Sequence, residues 1–130
     1  MKKILLLIMF LIPFKVVAMS ASSMVAVDLD NDYVYYDVNK DDKRLIASIT
    51  KIMTAIVTIE NIDIDKEITV GAEVLKAYGS AIYINVGEKI TIRDLLYGLI
   101  MRSGNDAAVV LAKNVAGSME GFAHLMNELA

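Results

Sequence analysis

A chain of 130 residues is one small domain at most, and this one carries 13 Lys and Arg, 16 Asp and Glu, a formal charge of −3 and no cysteine. The acidic balance speaks against nucleic-acid binding, which wants basic patches, and against a polybasic membrane-surface patch. The missing cysteines rule out a disulfide framework and a lipidated N-terminal cysteine.

Hydrophobic residues make up 56% of the chain, and part of that excess sits at the start. Met1-Lys2-Lys3 is basic, residues 4–12 are an unbroken apolar run, Pro13 follows, and Val16 and Ala18 stand at the −3 and −1 positions of a cleavage site. That is the layout of a secretory signal peptide, predicted over residues 1–18. A membrane span needs about 20 apolar residues, and Pro13, Lys15 and Ser20 interrupt this one too early. Removing Lys2, Lys3 and Lys15 from the 13 basic residues leaves 10 against 16 acidic ones, a charge of −6. The predicted mature portion, residues 19–130, is therefore expected outside the cytoplasm.

Residues 23–28 alternate as a strand, Asp30-Asn31-Asp32 is a turn cluster, and residues 33–38, rich in aromatic and β-branched side chains, read as the returning strand of a hairpin. Residues 39–44 form a charged loop. From Ser48 to about Asn61 the chain is apolar nearly all round, the mark of a helix buried on most sides. Its β-branched residues lower helix propensity, so burial must hold it. Residues 67–70 suggest a short strand, 73–77 a helical turn, and residues 81–86 and 89–91 flank a turn at Gly87-Glu88. Thr91 and Asp94 make a capping-box-like start for a helix carrying Ile92, Leu95, Leu96, Leu99 and Ile100. Residues 102–105 break it. Residues 106–115 are a second apolar helix with Gly117 as its C′ residue. Ser118 caps a third, with Phe122, Leu125, Met126 and Leu129 on one stripe.

Two short segments can carry chemistry. If Ser48 opens the buried helix, Lys51 lies one turn on, on the same face, where its amine can reach the hydroxyl. Burial disfavours the charged form of an amine, and a neutral amine can take a serine proton without any histidine. Free N–H groups at the helix N-terminus suit an oxyanion. By composition alone a chance S-x-x-K is expected roughly half a time. However, Lys51 is the only charge between Arg44 and Glu60, and a buried lysine without a task is costly. The second segment is Ser103-Gly104-Asn105, in a break between apolar helices, where a hydroxyl and a carboxamide two residues apart could relay a proton and hold a substrate amide. The plainer alternative for it is a turn that merely caps the next helix.

The other candidates are weaker. His124, the only histidine, lies on a late amphipathic helix with no motif around it. One His and no Cys leave only carboxylates for a metal. Residues 30–32 lack the Gly and distant Glu of a calcium loop, and the eight Met read as core filling.

The two motifs, in this order and 55 residues apart, closely resemble the penicillin-binding D-alanyl-D-alanine carboxypeptidase family. Ala47-Ser48-Ile49-Thr50-Lys51-Ile52-Met53-Thr54-Ala55 is similar to its nucleophile segment. Residues 95–108, ending Ser103-Gly104-Asn105-Asp106-Ala107-Ala108, are similar to its second motif with the preceding helix, and Gly117-Ser118 with residues 122–127 to the helix after it. The likeness covers residues 23–130. It implies an α/β (α+β), transpeptidase-like fold of the β-lactamase type: an N-terminal hairpin, a buried nucleophile helix and a helical lobe. It also implies Ser48 as acylated nucleophile, Lys51 as base, Ser103 as proton relay and Asn105 as the contact to the substrate amide, with no cofactor and no metal. The implied substrate is a peptidoglycan stem peptide ending in D-Ala-D-Ala, and β-lactams would trap the acyl-enzyme at the outer face of a bacterial cell envelope.

The family's third motif, Lys-Thr-Gly, occurs nowhere in the 130 residues. The chain is accordingly expected to be the N-terminal part of the domain, truncated before that strand and lacking the C-terminal sheet strands, with membrane association only through a C-terminal segment not present here. Losing a neighbour would leave the hairpin with an exposed edge, and losing one oxyanion donor would cost roughly 10²–10³ in rate. The alternatives are a catalytically inactive remnant, a serine β-lactamase relative, and a secreted interaction domain. Class A β-lactamases use S-D-N where this chain has Gly104, which favours the carboxypeptidase.

Overall fold

In a computed structural model of the chain, residues 20–130 are described. The predicted signal peptide therefore lies outside the described residues. The chain divides into two compact units with the boundary between Arg44 and Leu45.

Among its described residues, the first unit holds a hairpin. Strands β1 (Met24–Val27) and β2 (Val34–Val38) pair antiparallel, Met24 opposite Val38 and Ala26 opposite Tyr36, with an irregularity between Ala26 and Val27. Short polar side chains build its turn. Asp28 accepts from the Asp30 N–H at 2.9 Å, and Asn31 accepts from the Tyr33 N–H at 2.9 Å, which is how Asx residues replace backbone pairing in turns. Tyr33 and Tyr35 meet edge to face, ring centroids 5.1 Å apart. Both strands fall within a residue or so of the sequence expectation.

The second unit, residues 45–130, holds four helices and a two-stranded sheet. A 3₁₀ turn at Ala47–Ile49 runs into α1 (Thr50–Asn61). Thr58 donates its hydroxyl to the Thr54 carbonyl at 2.8 Å, so this buried polar group is satisfied within the helix. Val57 packs with Ala112 and Phe122, while Ala55 lies against the main core. Burial of α1 is one-sided among the described residues. Ile49, Ile52, Ile56 and Ile59 form a second stripe at helical spacing and stay exposed, Ile49 at 62%. An apolar helix surface records that a face can be buried, and not that it is buried by the residues at hand.

Strands β3 (Glu67–Thr69) and β4 (Lys89–Thr91) pair antiparallel, Ile68 opposite Ile90, and a 3₁₀ turn at Ala72–Lys76 follows β3. The expected turn at Gly87-Glu88 forms: Gly87 takes φ +85° and donates to the Val70 carbonyl at 2.8 Å. Residues 81–86, before that turn, form no strand. Ile82 and Ile84 pack inward against the core. Their N–H groups, however, go to the carboxylate of Asp106 rather than to a neighbouring strand.

Helix α2 (Ile92–Arg102) begins where its cap predicted. Thr91 Oγ1 accepts from the Asp94 N–H at 3.0 Å and donates to Asp94 Oδ2 at 2.7 Å. Substituting an N-cap threonine by alanine costs about 1 kcal/mol, so Thr91→Ala is expected to lower the unfolding free energy by that amount, read as an earlier denaturation midpoint at unchanged slope. Ile92, Leu95 and Leu99 are fully buried with Val110 and Leu111 of α3 (Asn105–Ala116). Helix α2 and the 81–86 loop come close: a Cβ on Gly98 would sit 2.5 Å from Ile82 Cδ1 and 3.1 Å from its Cγ2. Gly117 ends α3 in the left-handed region at φ +74°, and Ser118 caps α4 (Met119–Leu129) by accepting from the Gly121 N–H at 3.0 Å. No helix among the described residues is long and apolar enough to cross a membrane.

Candidate active site

Two backbone features place the site. Ala47 takes φ +48° and turns the chain into the 3₁₀ turn, so that Ser48 stands exposed at the mouth of α1 with Lys51 half-buried one turn further in. Ser103 takes φ +56° at the end of α2. Left-handed backbone at a residue with a Cβ costs about 1–3 kcal/mol and survives only where its surroundings impose it. Here it turns the chain from α2 into α3 and presents Ser103 and Asn105 together.

The four predicted side chains meet. Lys51 Nζ donates to Ser103 Oγ at 2.9 Å and to Asn105 Oδ1 at 2.7 Å, and Ser103 donates on to Ser48 Oγ at 2.9 Å. The sequence placed the lysine amine on the serine hydroxyl directly. Among the described residues it makes no hydrogen bond to Ser48, and the Ser103 hydroxyl stands between them. A hydroxyl flanked by an amine and a second hydroxyl can pass a proton either way by turning about its C–O bond. Gly104 leaves room for this arrangement, since a Cβ there would lie 2.9 Å from Asp106 Oδ1 and 3.3 Å from Ile82 Cγ2.

Asn105 is fixed from its far side. Its Nδ2 donates to the Tyr78 carbonyl at 2.6 Å and its backbone N–H to the Ser80 carbonyl at 2.7 Å. A carboxamide has two N–H bonds, so one remains for a further acceptor. Beside Ser48 and Lys51 lies a cavity of about 420 Å³, bounded by Asn105 and by apolar groups including Ala108, Ala112, Phe122 and Met126. His124 is outside the site, exposed on α4 and 3.5 Å from Glu128. Among the described residues no group of three His, Cys, Asp or Glu side chains is placed to hold a metal ion.

Sequence reasoning passed over Asp106. It is 3% exposed, one residue beyond Asn105, and accepts from backbone N–H groups of three successive loop residues. The available signal was its isolation: it is the only charge from Ser103 to Ala112 in an otherwise apolar helix.

This architecture is that of known penicillin-binding proteins. The chain superposes on a D-alanyl-D-alanine carboxypeptidase DacD from Francisella tularensis with a TM-score of 0.77 at 34% identity, over 85% of this chain and 28% of that one. It superposes on penicillin-binding protein 5 from Haemophilus influenzae with a TM-score of 0.77 at 27% identity, over 85% of this chain and 35% of that one. The carboxypeptidase DacF of Bacillus subtilis is 34% identical over 118 residues, 87% of this chain and 30% of the relative. The sequence profile of the D-alanyl-D-alanine carboxypeptidases matches residues 13–130, and the chain belongs to that family. It spans about a third of the length of these relatives.

Proposed function

We propose that the protein is a serine-type carboxypeptidase that removes the terminal D-Ala of peptidoglycan stem peptides through an acyl-enzyme on Ser48. The observation that carries the proposal is the unbroken line Lys51–Ser103–Ser48, with 2.9 Å at both steps. For reaction the two hydroxyls turn over and Lys51 is neutral. Ser48 Oγ attacks the carbonyl carbon between the two D-Ala residues, and its proton passes through Ser103 to Lys51 Nζ. The C–N bond then breaks, and the proton passes back from Lys51 through Ser103 to the departing D-Ala amine, Ser48 Oγ being held in the ester. Water cleaves the remaining ester and regenerates Ser48. Asn105 contributes at both ends of its carboxamide, with Oδ1 orienting Lys51 and the spare Nδ2 proton facing a substrate carbonyl.

Family membership and this geometry support the assignment together. The Lys-Thr-Gly segment that the family likeness implies for the substrate carboxylate is not among these 130 residues, so the four side chains account for acylation and not for that contact. The apolar N-terminal run and the nature of the substrate support action outside the cytoplasm, in the cell envelope. The test is release of D-Ala from a D-Ala-D-Ala peptide by the full-length protein, together with one-to-one labelling by a fluorescent penicillin. Rapid turnover of the penicillin without D-Ala release would point to a β-lactamase instead. Neither labelling nor release would mean an inactive member of the family.

A further inference from the structure

The mechanism uses Asn105 and makes no use of the buried carboxylate beside it. Asp106 Oδ2 accepts from the N–H of Tyr83 at 2.8 Å, of Ile82 at 3.1 Å and of Ile84 at 3.3 Å, while Oδ1 accepts from Ile82 at 3.1 Å and from its own helix at Ala107, 2.9 Å. Three successive N–H groups turned toward one side chain is a conformation neither a strand nor a helix provides. The chain bends to make it: Tyr83 takes φ +63°, a region that a bulky residue enters only under constraint. Its ring is left 82% exposed, so among the described residues no packing of that ring compensates the bend. The hydrogen bonds to Asp106 do.

This loop is the same one that holds Asn105. Tyr78 and Ser80 supply the two carbonyls on which Asn105 rests, two to four residues before the clamped segment. We infer that Asp106 is a positioning residue of the acyl-transfer site: it clamps residues 82–84 onto the start of α3, and the loop so held fixes the Asn105 carboxamide against Lys51. The inference rests on the acyl-transfer function proposed above. Asp106 touches neither Ser48 nor Lys51 and acts only through Asn105.

Asp106→Asn keeps the shape and one acceptor oxygen, but sets an NH₂ group among donors. In the full-length protein two quantities separate positioning from bulk stability. The fraction of chains finally labelled by fluorescent penicillin counts folded molecules, and the labelling rate constant reports the geometry of those that are folded. The expected result is an unchanged final fraction, a rate constant lowered about tenfold to a hundredfold, and amide exchange in residues 82–84 faster by at least about tenfold. Gly79→Ala tests the same loop from its exposed side, without disturbing the core. Gly79 has φ +89°, and a Cβ there would lie 3.0 Å from Asn105 Nδ2, so the rate constant should fall again with the fold intact. If Asp106→Asn does not fold, Gly79→Ala decides. A lower labelled fraction at an unchanged rate constant, or unchanged exchange in the loop, would overturn the inference. Failure of the unsubstituted protein to label would overturn the acyl-transfer function instead, with loop exchange still deciding whether the clamp exists.

Discussion

Ser48→Ala is expected to abolish covalent labelling by penicillin and to leave the fold untouched. The Ser48 side chain is exposed, and its Oγ accepts one hydrogen bond, from Ser103. Removing it opens no cavity and leaves only the half-buried Ser103 hydroxyl without its acceptor, and surface changes of that kind usually stay within about 0.5 kcal/mol. In the proposed mechanism the chemistry depends on it entirely, because Ser48 carries the acyl group. Intact-mass measurement after penicillin treatment gives the answer directly. An adduct on the Ser48→Ala protein, with unfolding unchanged, would move the nucleophile elsewhere and end the present assignment.

The second large effect concerns the path of the proton. Lys51→Ala is expected to slow labelling by about 10²–10⁴, the usual worth of a positioned acid–base group. Lys51→Arg should be equally slow, because a guanidinium keeps the charge but cannot give up its proton. Ser103→Ala discriminates between two wirings. If the proton travels through Ser103, as the two 2.9 Å hydrogen bonds suggest, its loss should approach that of Lys51. The double variant should then be little worse than either single one, since groups acting as a unit are not additive. If Ser103→Ala costs less than about tenfold while Lys51→Ala costs far more, the amine reaches Ser48 directly, as the one-turn spacing of the sequence first suggested.

Local signals carried most of what was legible in advance. The Thr91–Asp94 and Ser118 caps, the Gly117 helix end and the Gly87 turn each depend on residues within a few positions of one another. Their geometry follows from short-range hydrogen bonding and from the freedom of glycine at positive φ. The conformation of residues 81–86 was not legible for the opposite reason. Its alternating apolar residues do face inward, but the destination of its N–H groups is a side chain more than twenty residues away. Periodicity describes which face is apolar and says nothing of where the backbone finds its acceptors.

The same division runs through the site. The sequence by itself determined the family and the four residue types, because a serine and lysine one helical turn apart and a Ser-Gly-Asn break between two helices are patterns of neighbours. Only the tertiary structure decided how they are joined. It set Ser103 between Ser48 and Lys51, rested Asn105 on the 78–80 loop, made Asp106 the anchor of that loop, and left the Ile49–Ile52–Ile56–Ile59 stripe of α1 exposed among the described residues. The Lys51–Ser103 and Asn105–Tyr78 hydrogen bonds join residues 52 and 27 positions apart. Pairings at that range are fixed by how α1, α2 and α3 pack on a shared core, a property of the whole chain that no window of sequence contains.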